Sequence, residues 1–171
     1  MLQAEWLLRC IMAETINQFA KTYTFPPERT RPSARGILVE NRRILLSYEK
    51  NTGVYMSPGG GQEEGETLEE CCIRELREET GIHVEPIRPF ITINEYCFET
   101  LYNSNYFLCK KMGESEPSLT PTEIEHGIIP VWVDIDEALE IFGDYASKRE
   151  DIASLYLREF TVISKYVKEV K

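Results

Sequence analysis

The stretch Gly60–Ile82, GGQEEGETLEECCIRELREETGI, packs eight glutamates and two arginines into one short segment, a net charge of −6. The whole 171-residue chain carries only −10, so more than half of its charge imbalance sits here. Thr67 followed three residues later by Glu70 is a capping box, and Gly81 suits the left-handed position that closes a helix. The spacing predicts a helix from about Leu68 to Thr80. At 100° per residue, with Glu75 at zero, Glu79 falls near +40° and Glu78 near −60°. Cys72, Leu76 and Ile73 fall between about +60° and +160°, the arc expected to pack on a sheet, which would leave the three carboxylates at the edge of a buried face. Acids at these spacings repel by a few tenths of a kcal/mol per pair when exposed. Glu78 and Glu79 also stand at the helix end that disfavours negative charge. A hard divalent cation, Mg²⁺ or Mn²⁺, would remove both objections, because it takes oxygen ligands shared with substrate phosphates. A solvated acidic face explains the helix taken alone equally well.

The length suits a single domain with one sizeable core. The acidic balance argues against nucleic acid or an anionic membrane as the main partner, since both demand basic patches. It admits a polyanionic small molecule when cations mediate. Five cysteines without CxxC spacing read as free thiols acting as small apolar side chains in a reducing compartment. No leader pattern and no uncharged membrane-length run is found, so a cytoplasmic location is expected.

Along the chain, Trp6–Phe19 reads as a helix, followed by a proline-rich connector at Pro26, Pro27 and Pro32. Residues 1–32 are thus expected to form a helical extension, and residues 33–171 the main domain. Two apolar runs around Glu40-Asn41-Arg42 predict a hairpin. FITINEYCF and NYFLCKKM read as strands joined through Glu99–Ser104. EPSLTPTEIEHG reads as a polar loop, and IPVWVD as a strand. Asp134 with Glu137 suggests a capping box for a helix over Ile135–Phe142, and a last helix runs from about Lys148 to Lys168. Strands with helices between them, without strict βαβ alternation, predict an α+β fold, a mixed sheet flanked by helices on both faces.

Gly60, Glu66, Arg74, Glu75, Leu76, Glu78, Glu79, Gly81 and Ile82 match without a gap the signature G-x5-E-x7-R-E-U-x-E-E-x-G-U, where U is aliphatic. The chain resembles the Nudix (MutT-like) hydrolases, and the likeness is expected to span Ser33–Lys168. The resemblance implies a Nudix-type α/β/α sandwich and a Mg²⁺-dependent pyrophosphohydrolase acting on a nucleoside diphosphate linked to another group. It implies that Glu75, Glu78, Glu79 and the Gly60 carbonyl hold the metal, that Glu66 and Arg74 orient those carboxylates, and that Arg74, Glu78 and Glu79 serve catalysis. Many members hold a further carboxylate in the loop before the Trp132 strand. Glu125 is favoured over Glu123 for that role, with a merely solvated loop as the alternative. Arg35 and Tyr55 are candidate substrate contacts; solvation of Arg35 and core packing of Tyr55 are the alternatives. A homodimer built on the N-terminal extension would be familiar in the family. A nucleotide-binding sensor without turnover is the competing function. The glycines at 59–61 do not form a phosphate loop of the Walker type, because no Lys-Ser/Thr follows them.

Overall fold

The computed structural model describes residues 13–170. Nine strands run as β1 (Glu14–Tyr23), β2 (Arg29–Ile37), β3 (Val39–Glu40), β4 (Arg43–Glu49), β5 (Val54–Met56), β6 (Gly59–Gly61), β7 (Ile82–Phe98), β8 (Thr100–Glu114) and β9 (Ile128–Asp134) among the described residues. The helices are α1 (Leu68–Thr80), α2 (Pro121–His126), α3 (Ile135–Gly143) and α4 (Glu150–Val170), with a 3₁₀ turn at Asp144–Ser147 before α4. One sheet has the order β1-β7-β8-β2-β6; in the other, β4 is flanked by β3, β5 and β9. The first sheet is mixed: β1 with β7 and β2 with β8 are parallel, and the remaining pairs antiparallel.

Both faces are covered, as the α+β reading expects. Ile37, Ile44, Leu46, Ile91, Ile93 and Tyr106 face α3 and α4. Leu38, Leu45, Val84 and Phe107 face α1 with Cys71, Cys72 and Leu76. Neighbouring residues in β4 therefore serve opposite cores, which is why Ile44-Leu45-Leu46 is apolar without a break. Gly36 permits the close seat of α1: a Cβ there would stand 2.5 Å from Leu76 Cδ2. Among the described residues no helix is long and apolar enough to cross a membrane.

Four expectations are corrected. Glu14–Phe19 is strand, not helix; burial alternates along β1, with Ile16, Gln18 and Ala20 half-buried, and the chain pairs with β7 from Glu14↔Ile91 to Phe19↔Tyr96. The first part of the expected helix lies outside the described residues. Glu99–Ser104 is not a loop, because the β7–β8 ladder continues to Cys97↔Thr100. Polar side chains suit this stretch: Asn103 donates across the ladder to Asn94 at 2.7 Å and accepts from Asn105 on its own strand at 2.7 Å, and Asn94 donates to Asn17 on β1 at 3.0 Å. Within the polar loop lies α2, started by Thr120 and Glu123 in a reciprocal capping box with proline at its first position. Asp134 does cap α3, but through the Asp136 amide rather than in a box with Glu137. The hairpin does turn at Asn41-Arg42, both at positive φ, between Glu40↔Arg43 pairs.

Candidate active site

α1 begins and ends where its caps dictate. Thr67 and Glu70 exchange reciprocal bonds at one end, and Gly81, at φ 74°, returns its amide to the Arg77 carbonyl at the other. The buried side of α1 is wider than the expected arc and is displaced toward the acids. Cys71, Cys72, Leu76, Glu79 and Thr80 are buried, while Ile73 is 38% exposed. Glu79 consequently stands inside the packed face, at 4% exposure, not on its rim. The cause is β6, which lies along α1 on the Glu75 side and covers what an isolated helix would leave open.

The three glycines of β6 form the other wall. A Cβ on Gly60 would stand 2.5 Å from Glu75 Oε2, so a side chain here would displace that carboxylate from the backbone it now meets. The Gly59 amide donates to Glu79 Oε2 at 2.8 Å. Burial pushes the Glu79 carboxyl up to about 7, against the lowering influence of the neighbouring Ser47 hydroxyl, the Gly59 amide and Arg35. Burial also raises Glu75, opposed by Arg74.

Arg74 is the hub. Its Nε and Nη2 donate to the two oxygens of Glu66 at 3.0 and 2.7 Å, its Nη2 donates to the Gly61 carbonyl at 3.1 Å, and its Nη1 reaches Glu75 at 2.8 Å and Glu78 at 3.4 Å. The side-chain hydrogen bonds from Arg74 hold the Glu66 carboxyl down at about 2. Because the folded-state value is depressed, this clamp stabilises the fold fully above about pH 4.5 and is lost as pH falls toward 2. Glu66→Gln is therefore expected to flatten the acid limb of an unfolding titration between those values; an unchanged limb would remove the clamp from the acid response.

Glu75, Glu78 and Glu79 were expected at the edge of a buried face, around a cation and oriented by Arg74 and Glu66. Arg74 does bridge the first two, while Glu79 turns to a backbone amide. Among the described residues no three His, Cys, Asp or Glu side chains converge as a ready metal shell. The donor chemistry nevertheless fits a hard cation. It consists of carboxylate oxygens and a backbone carbonyl beside the glycine cradle.

The remaining candidates separate. Glu125 is exposed, and its engaged group is the backbone carbonyl, which accepts from Asn51 Nδ2. Glu123 is less exposed, and its charge raises both Glu75 and Glu79, so of the two it stands nearer the acids. Arg35 is not merely solvated: its Nη1 donates to the Ser57 carbonyl at 2.7 Å and the Gly59 carbonyl at 3.4 Å, while its buried Nε has no partner. Tyr55 packs its ring on Tyr48 at 4.5 Å and borders the α4 core, away from α1.

The sequence reading missed a buried polar group behind β6. Glu159 Oε2 accepts from Ser57 Oγ at 2.6 Å, and its Oε1 from Tyr106 at 2.8 Å and Arg158 Nη2 at 3.0 Å. Arg158 Nη1 also meets Glu95 at 2.6 Å. The available signal was a glutamate inside the apolar stripe of Ile152, Leu155, Tyr156 and Ile163. Through Ser57 and Arg35, this group braces the segment that carries Gly59 and Gly60.

A family model described as the NUDIX domain matches residues 30–155. An RNA pyrophosphohydrolase of Sphingopyxis alaskensis is 31% identical over 126 residues, covering 63% of this chain and 79% of the relative. An NAD-capped RNA hydrolase NudC of Vibrio parahaemolyticus is 48% identical over 52 residues, 30% of this chain and 20% of the relative. The chain thus matches about a fifth of the length of such relatives. A solved NUDIX hydrolase from Nitrosomonas europaea shares the fold, with a TM-score of 0.58, 22% identity, and coverage of 77% of this chain and 88% of that one.

Proposed function

The chain belongs to the Nudix family, and from that premise we propose that it is a divalent-metal-dependent pyrophosphohydrolase of a nucleoside diphosphate linked to a further group. The observation that carries this reading is the meeting of β6 with α1, where the Glu75 carboxylate rests directly against the Gly60 backbone and Arg74 ties it to Glu66 and Gly61. Glu75, Glu78, Glu79 and the Gly60 carbonyl would hold Mg²⁺, with Mn²⁺ as a substitute. Bound there, the cation supplies charge neutralisation on phosphate oxygens and a more acidic water. Glu75 gives Arg74 only its Oε1, which would leave Oε2 for the ion.

The chain's own groups do the rest. Glu66 keeps Arg74 charged and aimed, so the guanidinium holds Glu75 in place. The Gly59 amide orients Glu79. In the reaction a water oxygen bonds to phosphorus and the P–O anhydride bond breaks. The leaving phosphoryl oxygen keeps the electron pair, and the water's proton passes to a carboxylate, for which Glu123 is better placed than Glu125. Two phosphate-bearing products and a proton result.

The test is a panel of nucleoside triphosphates, nucleotide sugars, dinucleotides and capped species with millimolar Mg²⁺. Phosphate-bearing product from at least one compound, abolished by EDTA and restored by excess Mg²⁺, is the expected outcome. A panel without turnover, combined with binding of the same compounds, would replace the enzyme by a nucleotide sensor.

A further inference from the structure

On the α4 side of β6, across the glycines from Glu75, lies a cavity of about 210 Å³ lined by Arg31, Arg35, Arg158, Tyr102, Ser104 and the Gly60 backbone among others. No carboxylate is among its lining residues, although the chain carries a net charge of −10. The three arginines differ in what they have left to give. Arg158 is buried and neutralised from behind by Glu95 and Glu159, so it is a rigid wall. Arg35 is pinned by two backbone carbonyls through Nη1, which leaves its buried Nε without a partner. Arg31 makes no ion pair among the described residues; its guanidinium lies 5.9 Å from the centre of the Tyr102 ring.

A guanidinium held fixed by backbone carbonyls and a cation without a counter-charge, in a small space that no carboxylate lines, suit the oxygens of a phosphate. We propose that this cavity binds a phosphate additional to the scissile pyrophosphate, so that the preferred substrates are nucleotides bearing a further phosphate on the nucleoside or on the linked group. This rests on the hydrolase reading above and narrows its substrate class. Gly60 both lines this cavity and stands against Glu75, so one molecule can place its pyrophosphate at the Glu75 side and the extra phosphate at Arg31 and Arg35. Such a phosphate arises as a monoester in a small molecule or as a diester in an oligonucleotide.

Matched pairs test it. ADP-ribose 2′-phosphate is compared with ADP-ribose, coenzyme A with its 3′-dephospho form, and a 5′-triphosphorylated dinucleotide with ATP. The expected result is a kcat/KM about tenfold or more higher for the phosphorylated member, carried by KM. The first two pairs report a monoester and the third a diester. In Arg31→Ala that ratio falls toward one, and in Arg31→Glu it falls below one; because Arg31 is exposed, both variants are expected to fold. Turnover of both members at equal kcat/KM, or a ratio untouched by either variant, overturns the subsite and leaves the hydrolase standing. If nothing is turned over, the hydrolase reading fails. Calorimetry with ADP-ribose 2′-phosphate against ADP-ribose then decides the subsite alone: equal affinity overturns it and tighter binding of the former supports it.

Discussion

Glu79→Gln lowers turnover by about 100-fold or more while leaving the fold intact. Amide and carboxylate have the same shape, so the Gly59 amide keeps an acceptor and the packing of α1 on the sheet is undisturbed. What disappears is a carboxylate, 4% exposed, in a place where its charge is costly unless a cation answers it. Losing one electrostatic group aimed at a reacting centre typically costs on the order of 10²–10³ in turnover, the size expected here. The same removal relieves a desolvated carboxylate, so without divalent metal the variant should melt at or above the wild-type temperature. The two readouts move in opposite directions, which separates a functional loss from a structural one. Turnover equal to wild type would take Glu79 out of the reaction; a large fall in melting temperature would make it a structural residue.

Glu159→Ala is expected to cost about 3–5 kcal/mol of stability, the range for stripping one partner from a buried charged group. That is a large part of the 5–15 kcal/mol that a domain typically has. Glu159 is wholly buried, and its carboxylate accepts from Ser57, Tyr106 and Arg158. Burial works against its ionised form, but Arg158 and Arg35 overcome that and hold its pKa below the ordinary value. Alanine leaves Arg158 with Glu95 alone and two buried hydroxyls without their acceptor. Urea denaturation measures the loss; less than about 1 kcal/mol would show that water or a rearranged Arg158 satisfies the group. Glu159→Gln should cost less, since an amide can still accept from Ser57 and Tyr106. It should also weaken the hold on the Ser57–Gly59 segment, and with it the geometry of Gly60 beside Glu75.

Much of the candidate site was legible because its contacts are short in sequence. The Thr67–Glu70 box and the Gly81–Arg77 cap join residues within four positions, which a helix alone brings together, while the Glu66–Arg74 clamp, eight positions long, was implied by the family resemblance. The same reasoning located the turn at Asn41-Arg42. Helical geometry orders residues around α1 but says nothing of what lies beside it. For that reason Glu79 was expected on an edge and found inside, and Ile73 was expected to be covered and found exposed. Glu123 and Glu125 lie two residues apart in one polar stretch. Only the turn of α2, with Glu123 tied into its cap, places Glu123 nearer the acids.

From its sequence alone this protein had a helix with defined ends, a signature on that helix, and alternating apolar runs enough for a two-faced sheet. The tertiary structure decided that Glu14–Phe19 would be an edge strand, since the β7 ladder supplies hydrogen bonds that a lone segment lacks. It also decided that Arg74 would bridge Glu75 and Glu78, and that Arg158 and Glu159 would be buried behind the glycine strand. The division follows from range. Caps and turns are satisfied within a few residues, whereas Glu159 meets Ser57 across 102 positions, and no local preference reports a partner that distant.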